Sequence, residues 1–541
     1  MLGAGRRAFA DFAVGALALL GLVGVALVQV AHRSVYYYEW EQDVFIPLEG
    51  VLHVYAGQWP HRDFVTPVGS LWYAINALPG LVMPISARAL VWANLIVALV
   101  AGMAAMVVCL GKMPRQIAGL CAFYVGLLAL SPRQIGEAFS HISNNASYNR
   151  FCWAFVSVIA LASLLPSPGA SRRRDLVDGV VVGLLIALCF YIKVTYAAAG
   201  VGFLGLALLT TRGRSGWRFV GMAGLVAAVV VAAAGIVTGD LPGYFADMHT
   251  AVAVLPHNGR TGQALIMTAF AVPGLILVAL MVLFAGAGPH RTFSPFSPGL
   301  WAALLTVGAG LAIGIQNHPE PENPLLPVAL VIAWFVTRAR TDGPFRYGEG
   351  LGQVAVCAAL LLPVALDLGA VGWAAVAPVE VGPQTGWLAA TPLADLRVGL
   401  RALSTQPLPL QMPHTEAQVA VRWDEAMILI RPHLHGRNDA TVLPFTWSNP
   451  FPMLLGLPPV RHEVAWWDAE RTFNEKLTPD PRLLLDHVDF VLIPHDYVFA
   501  ATTEAMENAY APQLNRDFRT IAHTPHWDLW ARRDCAKRSL C

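Results

Sequence analysis

Charge is the scarcest property of this sequence. Asp, Glu, Lys and Arg make up 13% of its 541 residues, about half of the roughly one quarter carried by an ordinary soluble domain. So little charge, beside 56% hydrophobic residues, excludes intrinsic disorder, a collagen-like fibre, a nucleic-acid-binding surface and a single soluble enzyme domain. The 36 basic and 35 acidic residues nearly cancel to +1, so any electrostatic effect depends on where charges sit. Metal-binding cysteine patterns are missing as well. There is no C-x-x-C pair, and Cys109, Cys121, Cys152, Cys189 and Cys357 lie in or beside apolar runs as small hydrophobes. Cys535 and Cys541, at the end of the chain, are open to pairing only in an oxidising compartment. No repeat of 20–50 residues is present.

What the chain has instead is a series of long apolar runs. A membrane-crossing helix needs about 20 of them in a row, and such runs fall at 12–32, 89–110, 116–131, 151–165, 176–192, 194–210, 219–238, 264–286, 299–315, 324–337 and 351–371. The expected fold is an all-α polytopic membrane domain of about eleven transmembrane helices. Basic loops bound 176–210 on both sides, so that stretch must hold two short, tilted or re-entrant helices. Lys and Arg of short loops favour the cytoplasmic side. With the N-terminus inside, the inner segments (Arg6–Arg7, Lys112, Arg115, Arg172–Arg174, Arg212–Arg218, Arg291, Arg338–Arg346) outnumber the outer ones (Arg33, Arg62, Arg88, Arg133, Arg150, Lys193, Arg260) two to one. The predicted location is a multi-pass inner (plasma) membrane, with a cytoplasmic N-terminus and a periplasmic C-terminal domain. The first span begins like a signal peptide but is too long and lacks an A-x-A-like site, so it is expected to stay as a helix.

Composition changes after residue 371. Residues 1–371 read as the transmembrane domain and 372–541 as a soluble α/β or α+β domain with turns such as His435–Asp439 and an apolar run at Val488–Pro494. The alternation at His526–Arg533 suits a strand. Trp447, Trp466, Trp467, Trp527, Trp530, His433, His435 and His462 are dense there. They suit sugar stacking, and equally the core or membrane dock of a small domain.

The outer loops hold the candidate chemistry. Arg33–Arg88 is too long for a simple connection. It carries Glu39, Glu41, Asp43 and Glu49, then Gly57-Gln58-Trp59-Pro60-His61-Arg62-Asp63-Phe64, then the aromatic run Leu71–Ile75. Interfacial helices with carboxylates at headgroup level fit that pattern. The plainer alternative is that these acids solvate a loop. His141–Arg150 packs amides, hydroxyls and a guanidinium before a span, and includes the formal sequon Asn145-Ala146-Ser147. Lys193 lies between two apolar runs. An intramembrane lysine costs about 2.5–3.5 kcal/mol and usually faces a cavity or a partner; the other possibility is an outer turn with the amine snorkelling to headgroups. His318 sits in the proline-stiffened Gln316–Pro324 loop as a candidate phosphate or acceptor ligand, or simply a solvated residue.

Asp43 followed by Gly57–Phe64 resembles the first outer loop of the class C glycosyltransferase superfamily, where an acid precedes a G-x-x-P-[YH]-x-D-F segment. Tyr148-Asn149-Arg150, Lys193–Tyr196 and Glu322–Pro327 also resemble family segments. One departure is that Val44 stands where many relatives carry a second acid, so that acid is either absent or supplied by Glu41 or Glu39. The resemblance implies transfer of a sugar from a polyprenyl-phosphate donor to an acceptor at the outer membrane face, usually with inversion. It implies Asp43 as base with Glu41 as alternative, and Lys193, Arg150, Arg62 and His318 as donor-phosphate ligands. Asp63, His61, Tyr148 and Asn149 are expected at the sugar and acceptor side. A lipid phosphate is already a good leaving group, so one base and a set of cations suffice, whereas a glycosidase needs two carboxylates. No cofactor or metal is expected, although Glu39, Glu41, Asp43 and Asp63 could converge on a divalent cation. The expected partners are the polyprenyl-phosphate sugar, a cell-envelope glycan, lipid or protein acceptor, and membrane lipids, with no nucleic acid.

Three other readings compete. A lipid-linked-sugar transporter or flippase would show paired halves with broken helices, and none is visible. A polysaccharide polymerase or ligase would carry a long late loop. A scaffold presenting the C-terminal domain would need neither Lys193 nor the acid cluster.

Overall fold

A computed structural model describes residues 2–31, 35–37, 42–140, 142–144, 147–167, 171–210, 214–254, 274, 276, 298–316, 322–338, 348–376, 396–398, 416–474, 476–495, 497 and 499–533. Helix α1 (Leu2–Gln29) leads through strand β1 (Val35–Tyr37) to α2 (Gln42–Tyr55) and α3 (Ser70–Ala77). A bundle of α4 (Ala87–Cys109), α5 (Arg115–Leu130), α6 (Ser147–Leu164), α7 (Arg172–Ile192), α8 (Val194–Thr210), α9 (Arg214–Thr238) and α10 (Leu241–Val254) follows. Three later helices, α11 (Pro298–Gln316), α12 (Leu325–Arg338) and α13 (Gly348–Val376), complete it among the described residues. Every expected span coincides with one of these helices except 264–286, which lies outside the described residues apart from Gly274 and Ile276. By length and composition five of the described helices can cross a membrane: Phe9–Gln29, Ala87–Cys109, Arg172–Ile192, Ser215–Thr238 and Gly352–Val376. Arg115–Leu130, Val194–Thr210, Gly299–Ile315 and Leu325–Arg338 are apolar but shorter.

Helix ends follow from local chemistry. Ser171 caps α7, its hydroxyl accepting from the Arg174 amide at 3.2 Å. At the same end, Lys112 pairs with Asp178 at 2.8 Å and Arg218 with Asp175 at 3.2 Å. These buried carboxylates tie the basic loops of α4, α7 and α9 into one polar layer. The expected pair of helices over 176–210 is realised as α7 and α8, interrupted at Lys193 alone. Its extended backbone (φ −159°, ψ 112°) ends the first helix, and the second starts at Val194.

The C-terminal region is α+β. After β2 (Leu396–Val398), which pairs in parallel with β1, come α14 (Glu416–Leu434), β3 (Val442–Pro444), α15 (Phe451–Leu455), α16 (Pro481–Leu485), β4 (Phe490–Pro494), α17 (Ala500–Asp517), β5 (Phe518–His523) and β6 (Trp527–Arg532). The four-stranded sheet runs β3-β4-β6-β5, with β3 parallel to β4 and the other pairs antiparallel. The strand expected over 526–533 is β6, and its alternating burial explains why it was legible. Trp467 packs on Phe473 and Tyr510, and Trp527 on Trp423 and Phe451, so both belong to the core rather than to a sugar-stacking face.

The segment between α2 and α3 and this domain grip each other by backbone. Val65 N–H donates to Glu463 O at 2.9 Å, Ala465 N–H to Val65 O at 3.0 Å, and His462 N–H to Asp63 O at 2.8 Å. On its other side the segment docks on the α7–α8 break, where Gly69 N–H donates to Ile192 O at 2.8 Å and satisfies a carbonyl that the broken helix leaves open. A β-carbon on Gly69 would collide with the Tyr191 carbonyl. Gly69→Ala must therefore push the segment off α7. Overpacking of this kind costs about 1–3 kcal/mol, and thermal unfolding in detergent should show a lowered Tm; an unchanged Tm would contradict this docking.

Candidate active site

Lys193 is the centre of the site. Its ammonium lies 3.3 Å from Asn149 Oδ1 and 4.7 Å from the centroid of the Tyr148 ring, a cation–π distance. Asn149 and Tyr148 are buried in the first turn of α6. Trp72 of α3 holds that turn in place: its Nε1–H donates to Ser147 Oγ at 2.9 Å, and its ring meets Tyr148 edge-on at 5.3 Å. The C-terminal domain reaches the same point with Trp466, whose ring lies 6.3 Å from Tyr148. Three separate parts of the chain thus converge beside one lysine.

Lys193 also stands at the N-terminus of α8, where unpaired N–H groups and the helix dipole favour an anion. Thr195, on the first turn of α8, has a buried hydroxyl with no hydrogen-bond partner among the described residues. Thr195 opens a groove of about 650 Å³ between α8 and α11, lined by Ala198, Gly202, Phe203, Leu206 and Ile313 among others. Thr195, two residues beyond Lys193, brings a hydroxyl and a helix N-terminus to this apolar groove, which suits a molecule with an anionic head and a hydrocarbon tail.

The other expected site residues are distributed as follows. Arg150 is buried, and its Nη1 donates to the carbonyls of Arg133 and Ser143 at 3.2 and 3.1 Å, so that nitrogen braces the preceding loop. Arg62 is half exposed and pairs with the adjacent Asp63 at 2.8 Å. Burial raises the Asp63 carboxyl, but the Trp59 amide, Arg62 and Arg461 outweigh it and hold the pKa below the usual value. His61 sits at φ 65° with Nδ1 2.7 Å from Asp247 of α10, against Tyr244. Tyr244 in turn donates to Phe190 O at 2.7 Å, so this second group rests on the same end of α7. Asp43 lies in the first turn of α2, with its side chain outside the described residues. Glu39, Glu41, His318, Asn145, Ala146, Cys535 and Cys541 also lie outside them.

One cluster that sequence reasoning missed lies nearby. Arg133, counted above only as a loop charge, is buried and bridges Glu322 and Asp367, both at 2.8 Å, joining the loop after α5 to the start of α12 and to α13. The available signal was Asp367, an acid inside an apolar run that demands a partner.

No family model matches the chain, and no curated protein matches it. Solved structures do. The chain is similar to the archaeal oligosaccharyltransferase AglB from Archaeoglobus fulgidus in complex with an inhibitory peptide and a dolichol-phosphate, at 11% identity over 90% of this chain and 69% of that one, with a TM-score of 0.39. It is also similar to ArnT from Cupriavidus metallidurans bound to undecaprenyl phosphate, at 16% identity over 95% and 97% of the two chains, with a TM-score of 0.49.

Proposed function

We propose that this protein is a membrane glycosyltransferase that moves a sugar from a polyprenyl-phosphate donor to an acceptor hydroxyl, amide or amine at the outer membrane face, with inversion. The observation that carries this reading is Lys193, whose ammonium lies beside Asn149 and the Tyr148 ring where α8 begins, two residues before Thr195, which lines the apolar groove. The resemblance of Gly57–Phe64 to the first outer loop of class C enzymes supports it independently. In the reaction the acceptor atom attacks the anomeric carbon as the bond to the phosphate oxygen breaks. The leaving phosphate keeps the bonding pair, and its growing charge is met by Lys193 and the Thr195 hydroxyl. The acceptor proton passes to a carboxylate, assigned to Asp43 with Glu41 as the alternative. Asp63 and His61 border the acceptor side. The chemistry assigns no role to a metal at the reacting centre. The active face is placed in the periplasm, with the N-terminus in the cytoplasm.

Mass spectrometry of lipids co-purified in mild detergent tests the donor class. Polyprenyl phosphate, bare or carrying a sugar, is expected with the wild-type protein and depleted in Thr195→Val. Bulk phospholipid alone in both samples, with no binding of added polyprenyl phosphate, would contradict the proposal.

A further inference from the structure

Away from Lys193, α2 and the C-terminal domain share a buried polar cluster. Glu49 and His53 are four residues apart on one face of α2, and Glu463 enters from the domain; Glu49 is 2% exposed and the other two 0%. One ligand atom from each lies within 4.8 Å of the others. The hydrogen bonds around His53 fix its ring. Gln58 donates its amide N–H to the Pro459 carbonyl at 3.2 Å, so its Oε1 is the atom that faces His53 Nδ1 at 2.7 Å. Nδ1 therefore carries the hydrogen. In the neutral ring Nε2 is left with a lone pair, and it points at Glu463 Oε1 from 2.9 Å. A shared proton closes this contact when the site is empty, and a cation can take the proton's place. A ring whose far N–H donates to a fixed carbonyl is the usual outer support of a metal-ligating histidine.

Glu49 supplies an independent observation. Its Oε2 accepts from the Asn449 amide at 2.9 Å, but its Oε1 is buried with no hydrogen-bond partner among the described residues. Burial, with Glu463 adding to it, pushes the Glu49 carboxyl well above the usual range, the Asn449 amide offsetting part of this. A proton does not settle the problem: protonated or ionised, Oε1 is left without a partner among the described residues.

We infer that Glu49, His53 and Glu463 bind a divalent cation of the zinc class, which pins α2 to the C-terminal domain. One imidazole nitrogen and carboxylate oxygens are ordinary zinc ligands, and a second oxygen from either glutamate completes four-coordination. Ligand separations of roughly 3.2–3.5 Å follow from zinc–ligand bonds of about 2.0–2.2 Å, so the His53–Glu463 contact opens by a few tenths of an ångström on binding. Binding displaces any proton on Glu49. The first turn of the same helix carries Asp43, so the cation holds the helix that presents the assigned base without itself entering the reaction. Of the carboxylates expected from sequence to converge on a cation, Glu39, Glu41 and the Asp43 side chain lie outside the described residues, and Asp63 pairs with Arg62.

The described residues contain one other candidate triad, the surface cluster His495, His523 and Asp528, and the test separates the two. Full-length protein is purified from zinc-supplemented cells, freed of loose ion, and examined by elemental analysis and zinc X-ray absorption. The expected result is about one zinc per chain with one imidazole and otherwise oxygen ligands, retained in His523→Ala and lost in Glu49→Gln/Glu463→Gln. A wild-type protein that holds no zinc overturns the inference. So does a two-imidazole signal, loss of zinc in His523→Ala, or retention in the double glutamine variant. Should the double variant fail to fold, the wild-type ligand signal and His523→Ala decide between the sites.

Discussion

Replacing Lys193 with alanine is expected to weaken binding of a polyprenyl phosphate roughly 10- to 100-fold, the equivalent of about 1.5–3 kcal/mol for hydrogen bonds to a charged group. The ammonium sits beside Asn149 and the Tyr148 ring, at the start of α8. Partial removal from water strengthens its attraction for phosphate relative to a solvated surface lysine. Among the described residues the groove lining holds no cation of its own, and Thr195 brings only a dipole. Lys193→Arg should recover part of the affinity, since the charge survives while its reach and geometry change. The measurement is lipid-phosphate affinity in detergent, by quenching of intrinsic tryptophan fluorescence. Undiminished affinity in Lys193→Ala would mean that the side chain only snorkels, and would remove it from the donor site.

Asp43→Asn should lower the rate of sugar transfer roughly a hundred- to ten-thousandfold, the range that a positioned general base contributes. Asparagine keeps the size and polarity of the side chain but cannot take the acceptor proton. Donor affinity should therefore stay near the wild-type value, which separates loss of the base from loss of the site. Asp43 lies in the first turn of α2, a helix locked to α3 where Gly50 lets the Tyr73 ring lie against the helix backbone. Full transfer by Asp43→Asn would move the role to Glu41, with Glu41→Gln as the deciding variant.

The sequence exposed those parts of the fold that repeat a local pattern. Apolar runs marked the helices, and the interruption at Lys193 marked the boundary between α7 and α8. Alternation at 526–533 marked β6, and Leu71–Ile75 marked α3. Contacts between distant segments were hidden, since no spacing rule links residues hundreds of positions apart. His53 and Glu463 are 410 residues apart, and Arg133 and Asp367 are 234 apart. The tryptophans of the last domain show a different limit. A ring that can stack on a sugar can equally fill a core, and only packing shows that Trp467 and Trp527 do the latter. Lys193, Asn149 and Tyr148 were each singled out from local sequence, but they meet only because α6 packs against the start of α8.

The most direct measurement is a structure of the protein with a polyprenyl phosphate bound. The phosphate is expected within hydrogen-bonding distance of Lys193 Nζ and Thr195 Oγ1, with the prenyl chain running along the groove between α8 and α11. A phosphate seated elsewhere, or a groove left without the chain at saturating lipid, would contradict the assignment of this site to a polyprenyl-phosphate donor.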